Sequence, residues 1–266
     1  MTRAERQAAL EVIAGEVRAC TRCRLHSTRT QAVPGEGDPS TEVVFVGEGP
    51  GFNEDRQGRP FVGRAGDLLV RLLGSVGWRR EDVFITNVVK CRPPNNRDPE
   101  PDEIAACEPY LRRQLEVLDP AVIVTLGRHS MGRFMPGARI SQAHGTMRPA
   151  DPATGAPDAL AFAMYHPAAA LRTPAIERES YDDIAQVPTA LIASRERRAA
   201  RQRTAVAVGA GVAGVASQIP DLEPSAPSES LPAPEPGSTP EPQPEPVVEP
   251  SPAAAELVPT DQLTLF

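Results

Sequence analysis

The sequence predicts an α/β fold: a three-layer α/β/α sandwich around a central, mostly parallel four-stranded sheet, followed by a disordered C-terminal tail. Three observations carry this. Short apolar runs at 42–47, 83–89, 121–126 and 160–165 have the length and composition of strands buried on both faces. Helical patterns lie between them, and strands alternating with helices imply a parallel sheet covered on each side. Beyond about residue 200 the composition changes, with 13 of the 30 prolines between 220 and 259, mixed with Glu, Ser and Ala. A segment so poor in large apolar residues cannot bury enough surface to offset its ordering entropy.

Residues 4–19 read as an amphipathic helix that delivers Cys20 and Cys23. Val43-Val44-Phe45-Val46-Gly47 reads as a buried strand. The loop after it, Glu48-Gly49-Pro50-Gly51-Phe52-Asn53-Glu54-Asp55 and on through Gly58-Arg59-Pro60-Phe61-Val62-Gly63, is dense in glycine, proline, acids and aromatics. Glycines there let backbone amides approach a flat ligand closely, and the acids stand where a strand's carboxyl end opens into a crevice. A helix is predicted over 65–76, then a strand that runs through Thr86-Asn87 towards Cys91. Helices at 101–118 and 128–134 flank the third strand. The fourth leads into His166-Pro167-Ala168-Ala169-Ala170-Leu171, and a last helix covers about 175–195. Glu48, Asn87, Gly127 and His166 each fall at or just beyond a strand's carboxyl end. Four separate segments therefore converge on the rim where open α/β sheets bind ligands.

The formal net charge of −7 belongs to the tail. Residues 204–266 hold nine acids and no Lys or Arg; removing those nine from the 35 acids leaves 26 against all 28 basic residues, a net of +2. The acidic total thus does not exclude a nucleic-acid partner. Met1-Thr2-Arg3 leads into an amphipathic helix and not a secretory apolar core, and the small-residue run 205–216 is too short to span a bilayer. Four cysteines in a chain of this length do not suggest a disulfide scaffold. The expectation is a soluble, monomeric, cytoplasmic protein without a membrane partner.

Cys20-x-x-Cys23, with Cys91 and Cys107 bracketing an Arg-Pro-Pro-Asn-Asn-Arg-Asp-Pro loop, brings four thiolates from distant sequence. They fit zinc or a 4Fe–4S cluster, and ligand identity alone does not choose. Read locally, Phe61 is more often a core aromatic and His166 a structural histidine, and Asn87 suits a common strand-end cap. His26, His129 and His144 lack a motif and read as surface or packing residues.

Taken together, the Gly47–Gly63 loop, Thr86-Asn87-Val88-Val89-Lys90-Cys91-Arg92-Pro93-Pro94, the His166–Leu171 segment and the four cysteines resemble the family-4 uracil-DNA glycosylases, the iron–sulfur branch of that superfamily. The resemblance spans roughly residues 5–195 in unbroken order. One departure is Gly49, where family members often carry Ala, which is expected to widen the loop slightly. The resemblance implies a 4Fe–4S cluster on Cys20, Cys23, Cys91 and Cys107, with four-cysteine zinc the alternative. It implies a monofunctional enzyme that flips uracil out of DNA and hydrolyses its N-glycosidic bond, leaving an abasic site.

Within that resemblance Phe61 stacks on the base. Asn87 offers one acceptor and one donor to uracil N3–H and O4, a pattern that cytosine reverses. Gly47, Glu48 and Gly49 complete the uracil pocket. His166, neutral or protonated, donates to O2 of the departing uracilate. Glu48 and Glu54 orient water and stabilise positive charge on the sugar, and Glu54 also helps to exclude thymine's methyl group. Leu171 and Arg172 form the wedge that enters the duplex as the base leaves. Lys90, the only lysine, adjoins a cysteine ligand and is a poor Schiff-base candidate, so water is the nucleophile. The competing readings are a lesion-binding module without turnover and a glycosylase for a broader set of deaminated bases.

The domain reading is a glycosylase domain over 1–198, a linker over 199–260 and a terminal peptide over 261–266. That peptide, with Gln262, Leu263, Leu265 and Phe266, resembles the bacterial sliding-clamp-binding motif, in which a polar residue sets register and apolar anchors enter a pocket. A linker of about 45 residues gives a random-coil reach of about 40 Å, enough to hold the enzyme near replicated DNA in the nucleoid.

Overall fold

A computed structural model describes residues 1–215. The chain begins with α1 (Arg3–Ala19), β1 (Glu36–Gly37), β2 (Val43–Gly47), α2 (Phe52–Gln57), α3 (Arg64–Ser75), β3 (Phe84–Asn87) and α4 (Pro101–Leu118). It continues through β4 (Val122–Leu126), α5 (Arg128–Phe134), α6 (Ile140–Ala143), β5 (Met147–Pro149), β6 (Leu160–Met164), α7 (Pro167–Ala170), α8 (Pro174–Ile184) and α9 (Val187–Val215). The strand order is β1-β3-β2-β4-β6-β5.

The four inner strands are those expected from the apolar runs, and every neighbouring pair among them is parallel. Each is buried along its whole length, which is why these runs are continuous and do not alternate. Two antiparallel edge strands, β1 and β5, enlarge the expected four-stranded sheet to six among the described residues. They are two and three residues long and lack an apolar run, as suits strands whose outer edge faces water.

Side chains alternate between the two faces of the sheet and define two cores. Val44, Val46 and Ile123 pack with Leu10, Ile13 and Val17 of α1, with Tyr110, Leu111 and Leu115 of α4, and with Met131 and Phe134 of α5. Val43, Phe45, Val122 and Val124 pack with Leu68, Leu69, Leu72 and Leu73 of α3 and with Ile184, Val187 and Ala190 of α8 and α9. This is the three-layer sandwich. The first of these helices, α1, is fixed at its start by a capping box, with Glu5 N–H donating to Thr2 Oγ1 and the Glu5 carboxylate accepting from Thr2 N–H.

Two elements differ from expectation. Residues 52–57 form α2 inside what reads as a loop; Gly58, at φ 68, ends it in the left-handed conformation glycine tolerates. The last helix is two helices that meet at 185–186, and α9 runs on to Val215, past the 198/199 boundary. The rest of the expected linker and the peptide Gln262, Leu263, Leu265, Phe266 lie outside the described residues. Among the described residues no helix is long and apolar enough to cross a membrane.

Candidate active site and cysteine site

The carboxyl ends of the four inner strands open into one cavity. Glu48 and Gly49 follow β2, Asn87 ends β3, Gly127 follows β4 and His166 follows β6; with Glu54, Phe61, Leu171 and Arg172 they line it. Gly47 is in register with Asn87. A Cβ on Gly47 would collide with Asn87 Oδ1 and come within 2.7 Å of Phe61 Cζ, so the amide and the ring both close on the space beside this glycine. Gly47→Ala is therefore expected to raise KM for a uracil substrate by about 10-fold or more while the fold persists, checked by steady-state kinetics alongside thermal unfolding. Gly49 is not a roomy position: a Cβ there would stand 2.7 Å from Cγ2 of the fully buried Val89.

Asn87 is 1% exposed, yet its Oδ1 has no hydrogen-bond partner. A buried acceptor left without a partner costs about 1–3 kcal/mol and calls for an explanation, and a donor on a bound ligand is one. Phe61 is also held under strain, at φ 49. Its carbonyl accepts from Arg80 Nη1 at 3.0 Å, and the amides on its far side, Val62 and Gly63, donate to Glu54 Oε1 at 2.9 and 3.1 Å. Gly66 passes so close to the Phe61 carbonyl that any Cβ there would strike it. Glu54 thus spends one oxygen on the Phe61 turn, which gives it a positioning job that its sequence context does not reveal.

The Phe61 and His166 rings stack with centroids 5.7 Å apart. His166 caps α7, its Nδ1 accepting from the Ala168 amide at 3.1 Å. That bond fixes the tautomer: a neutral ring here carries its proton on Nε2, free to donate. Burial lowers the His166 pKa to about 4, against the opposing pull of Glu54. The imidazole is therefore neutral near pH 7.

Burial raises the Glu48 pKa; His129 opposes the shift and Asp98 adds to it. His129 Nε2 lies 3.9 Å from Glu48 Oε2 and 3.2 Å from Asp98 Oδ2. The Arg128 guanidinium lies 2.9 Å from His129 Nε2, pairs with Asp98 and likewise opposes the Glu48 shift. Local sequence marks His129 as a surface or packing residue and gives Asp98 no role, yet the two meet Glu48 at the cavity. The available signal was position, since Arg128-His129 directly follow the Gly127 strand end. Leu171 lies on the cavity rim, partly packed against the core; the exposed Arg172 folds back, its Nε 3.1 Å from the Ala168 carbonyl.

On the other face of the sheet, Cys20, Cys23, Cys91 and Cys107 line a separate pocket with Val17, Arg29 and Tyr110, and all four are free thiols. Nitrogen donors point at the sulfurs: Arg29 Nη1 to Cys91 at 3.1 Å, the Lys90 amide to Cys107 at 3.2 Å and the Arg22 amide to Cys20 at 3.5 Å. Burial pushes the Cys107 thiol up to about 11 and raises Cys91. Thiolates in so apolar a pocket need a cationic centre, and the donors around them suit sulfurs that carry charge. The set fits a metal site. Among the described residues, the one trio of His, Cys or carboxylate side chains whose ligand atoms lie within 4.8 Å of one another is Glu48–Asp98–His129.

A cavity at the carboxyl edge of a parallel sheet, lined by a buried amide, an aromatic ring and a neutral imidazole, stands where α/β enzymes bind their ligands. Comparison with known proteins narrows this. The family model described as Uracil DNA glycosylase superfamily matches residues 34–186. A type-4 uracil-DNA glycosylase of Saccharolobus solfataricus is 50% identical over 188 residues, 68% of this chain and 86% of the relative. That of Archaeoglobus fulgidus is 45% identical over 67% of this chain and 91% of the relative, and that of Thermotoga maritima 54% identical over 51% and 71%. The chain belongs to the uracil-DNA glycosylase superfamily, among the type-4 enzymes.

Proposed function

We propose that this chain removes uracil from DNA by hydrolysing the bond between uracil N1 and sugar C1′, with Asn87 as the reader of the base. The observation that carries the reading is the open Asn87 Oδ1, buried at the cavity wall and without a donor. Uracil N3–H supplies that donor, and the amide NH2 answers O4. Cytosine offers an acceptor at N3 and a donor at N4, and so fails twice. Phe61 stacks against one face of the base. As the N1–C1′ bond breaks, its electron pair stays on uracil, and the His166 Nε2–H donates to O2 of the resulting anion. Glu48 orients the water whose oxygen bonds C1′ and accepts its proton; burial, which raises its proton affinity, suits it to that task. Glu54 holds the Phe61 turn and helps to close the pocket around C5. Leu171, with Arg172 beside it, fills the gap left by the flipped nucleotide.

In the same reading Cys20, Cys23, Cys91 and Cys107 hold a 4Fe–4S cluster that ties α1 and the 91–107 loop to the sheet. The shared pocket of four free thiols and the N–H donors aimed at its sulfurs support a metal centre there. Anaerobically purified protein is expected to hold four iron and four sulfide per chain, and Cys107→Ser to lose both together with thermal stability; stoichiometric zinc would overturn the assignment. The terminal Gln262, Leu263, Leu265 and Phe266 carry the proposal of a sliding-clamp partner, and the enzyme acts as a monomer in the nucleoid-bearing cytoplasm.

Product analysis tests the mechanism. A single-uracil oligonucleotide should yield free uracil and an intact strand with an abasic site, and borohydride should trap no enzyme–DNA adduct. A trapped adduct would mean an amine nucleophile and contradict the role given to water.

A further inference from the structure

Lys90 is the only lysine of the chain and is 1% exposed. Its Nζ donates to Thr86 Oγ1 at 2.6 Å, Gln114 Oε1 at 2.7 Å and the Asn87 carbonyl at 2.8 Å. All three oxygens thus lie within hydrogen-bond reach of this one nitrogen. The partners close a ring, since Thr86 Oγ1 and Gln114 Nε2 both donate to the Pro34 carbonyl, at 3.0 and 2.7 Å. The end of β3, the middle of α4 and the 33–34 segment are thus joined at the point from which the Asn87 side chain leaves the backbone. The Asn87 side-chain oxygen makes no bond of its own. Its direction therefore depends on how firmly the main chain beneath it is held.

A buried amine is costly unless its polar hydrogens are paired, and an apolar side chain of similar length would fill this space. Packing alone does not call for lysine. Three contacts fanned onto two elements and the reader's own carbonyl fix an orientation, which is what a reading amide requires. We propose that Lys90 is a positioning residue for base recognition, fixing the Asn87 main chain and through it the direction of the Asn87 amide. This rests on the reading of Asn87 given above.

A double-mutant cycle between Lys90→Met and Asn87→Ala tests it, under single-turnover conditions on a single-uracil oligonucleotide. Lys90→Met is expected to slow excision about 100-fold in the wild-type background, the scale of a misplacement of about 1 Å. In the Asn87→Ala background it should change the rate by no more than about twofold, because the group it positions is already gone. Affinity for an oligonucleotide bearing a 2′-fluorinated uracil nucleotide, relative to its cytosine counterpart, should fall in Lys90→Met while iron content stays at the wild-type level. Equal losses in both backgrounds, an unchanged affinity ratio, or loss of iron would each overturn the proposal. Where Lys90→Met does not fold, Thr86→Val removes one Nζ partner from an isosteric side chain. A loss of about fivefold that vanishes without Asn87 is then expected, and no loss would count against the role. If wild-type protein excises no uracil, the reading of the site fails first; an active wild type with an additive cycle sinks only the role of Lys90.

Discussion

Asn87→Ala is expected to lower kcat/KM for uracil excision by about 10³-fold or more, the scale on which a site built to hydrogen-bond its substrate loses discrimination, without lowering the melting temperature. The two halves of the expectation have one cause. In the free protein the Asn87 Oδ1 is buried and makes no hydrogen bond to another protein group, so removing it breaks none. In the complex the same atom meets uracil N3–H, and its loss leaves the base unread. A purely structural Asn87 would give the reverse pattern, a lower melting temperature and modest kinetic change. Kinetics and thermal unfolding on one preparation separate the two.

His166→Ala is expected to lower kcat by about 10²–10³-fold, as does loss of one donor to a developing anion, with KM much less affected. The pH dependence sharpens this. The His166 pKa lies below its ordinary 6.5, at about 4, so the donating neutral form prevails above about pH 4–5. Glu48 is shifted the other way, above the ordinary 4.5. Burial makes Glu48 easier to protonate than an ordinary carboxylate, and the acid limb of kcat/KM is expected to follow it. The limb should be absent from Glu48→Gln, whose residual rate is low and flat. Stability follows the His166 shift with its own sign: the unfolded chain binds the proton first, so the contribution of a neutral His166 is present above about pH 6.5 and is lost as pH falls towards 4. Thermal unfolding of wild type and His166→Ala across that window checks it.

The inner sheet was legible in the sequence because each of its strands is buried on both faces and leaves an apolar run, as in Val43-Val44-Phe45-Val46. The convergence of Glu48, Asn87 and His166 on one rim followed from parallel topology alone. What escaped depends on pairings that no local pattern encodes. Edge strands β1 and β5 are too short to print a period. Glu54 looks like a free acid until the turn brings the Val62 and Gly63 amides onto it. His129 gains meaning only beside Asp98, and Lys90 only when α4 carries Gln114 to it across 24 residues of sequence.

The central claim is that this cavity reads and releases uracil repeatedly. Counting the bases released per protein chain, at large excess of an oligonucleotide carrying one uracil and of the same oligonucleotide with cytosine there, tests it most directly. Many uracils released per chain and no detectable cytosine is the predicted result. Tight binding with at most one base released per chain, or comparable release of cytosine, would contradict it.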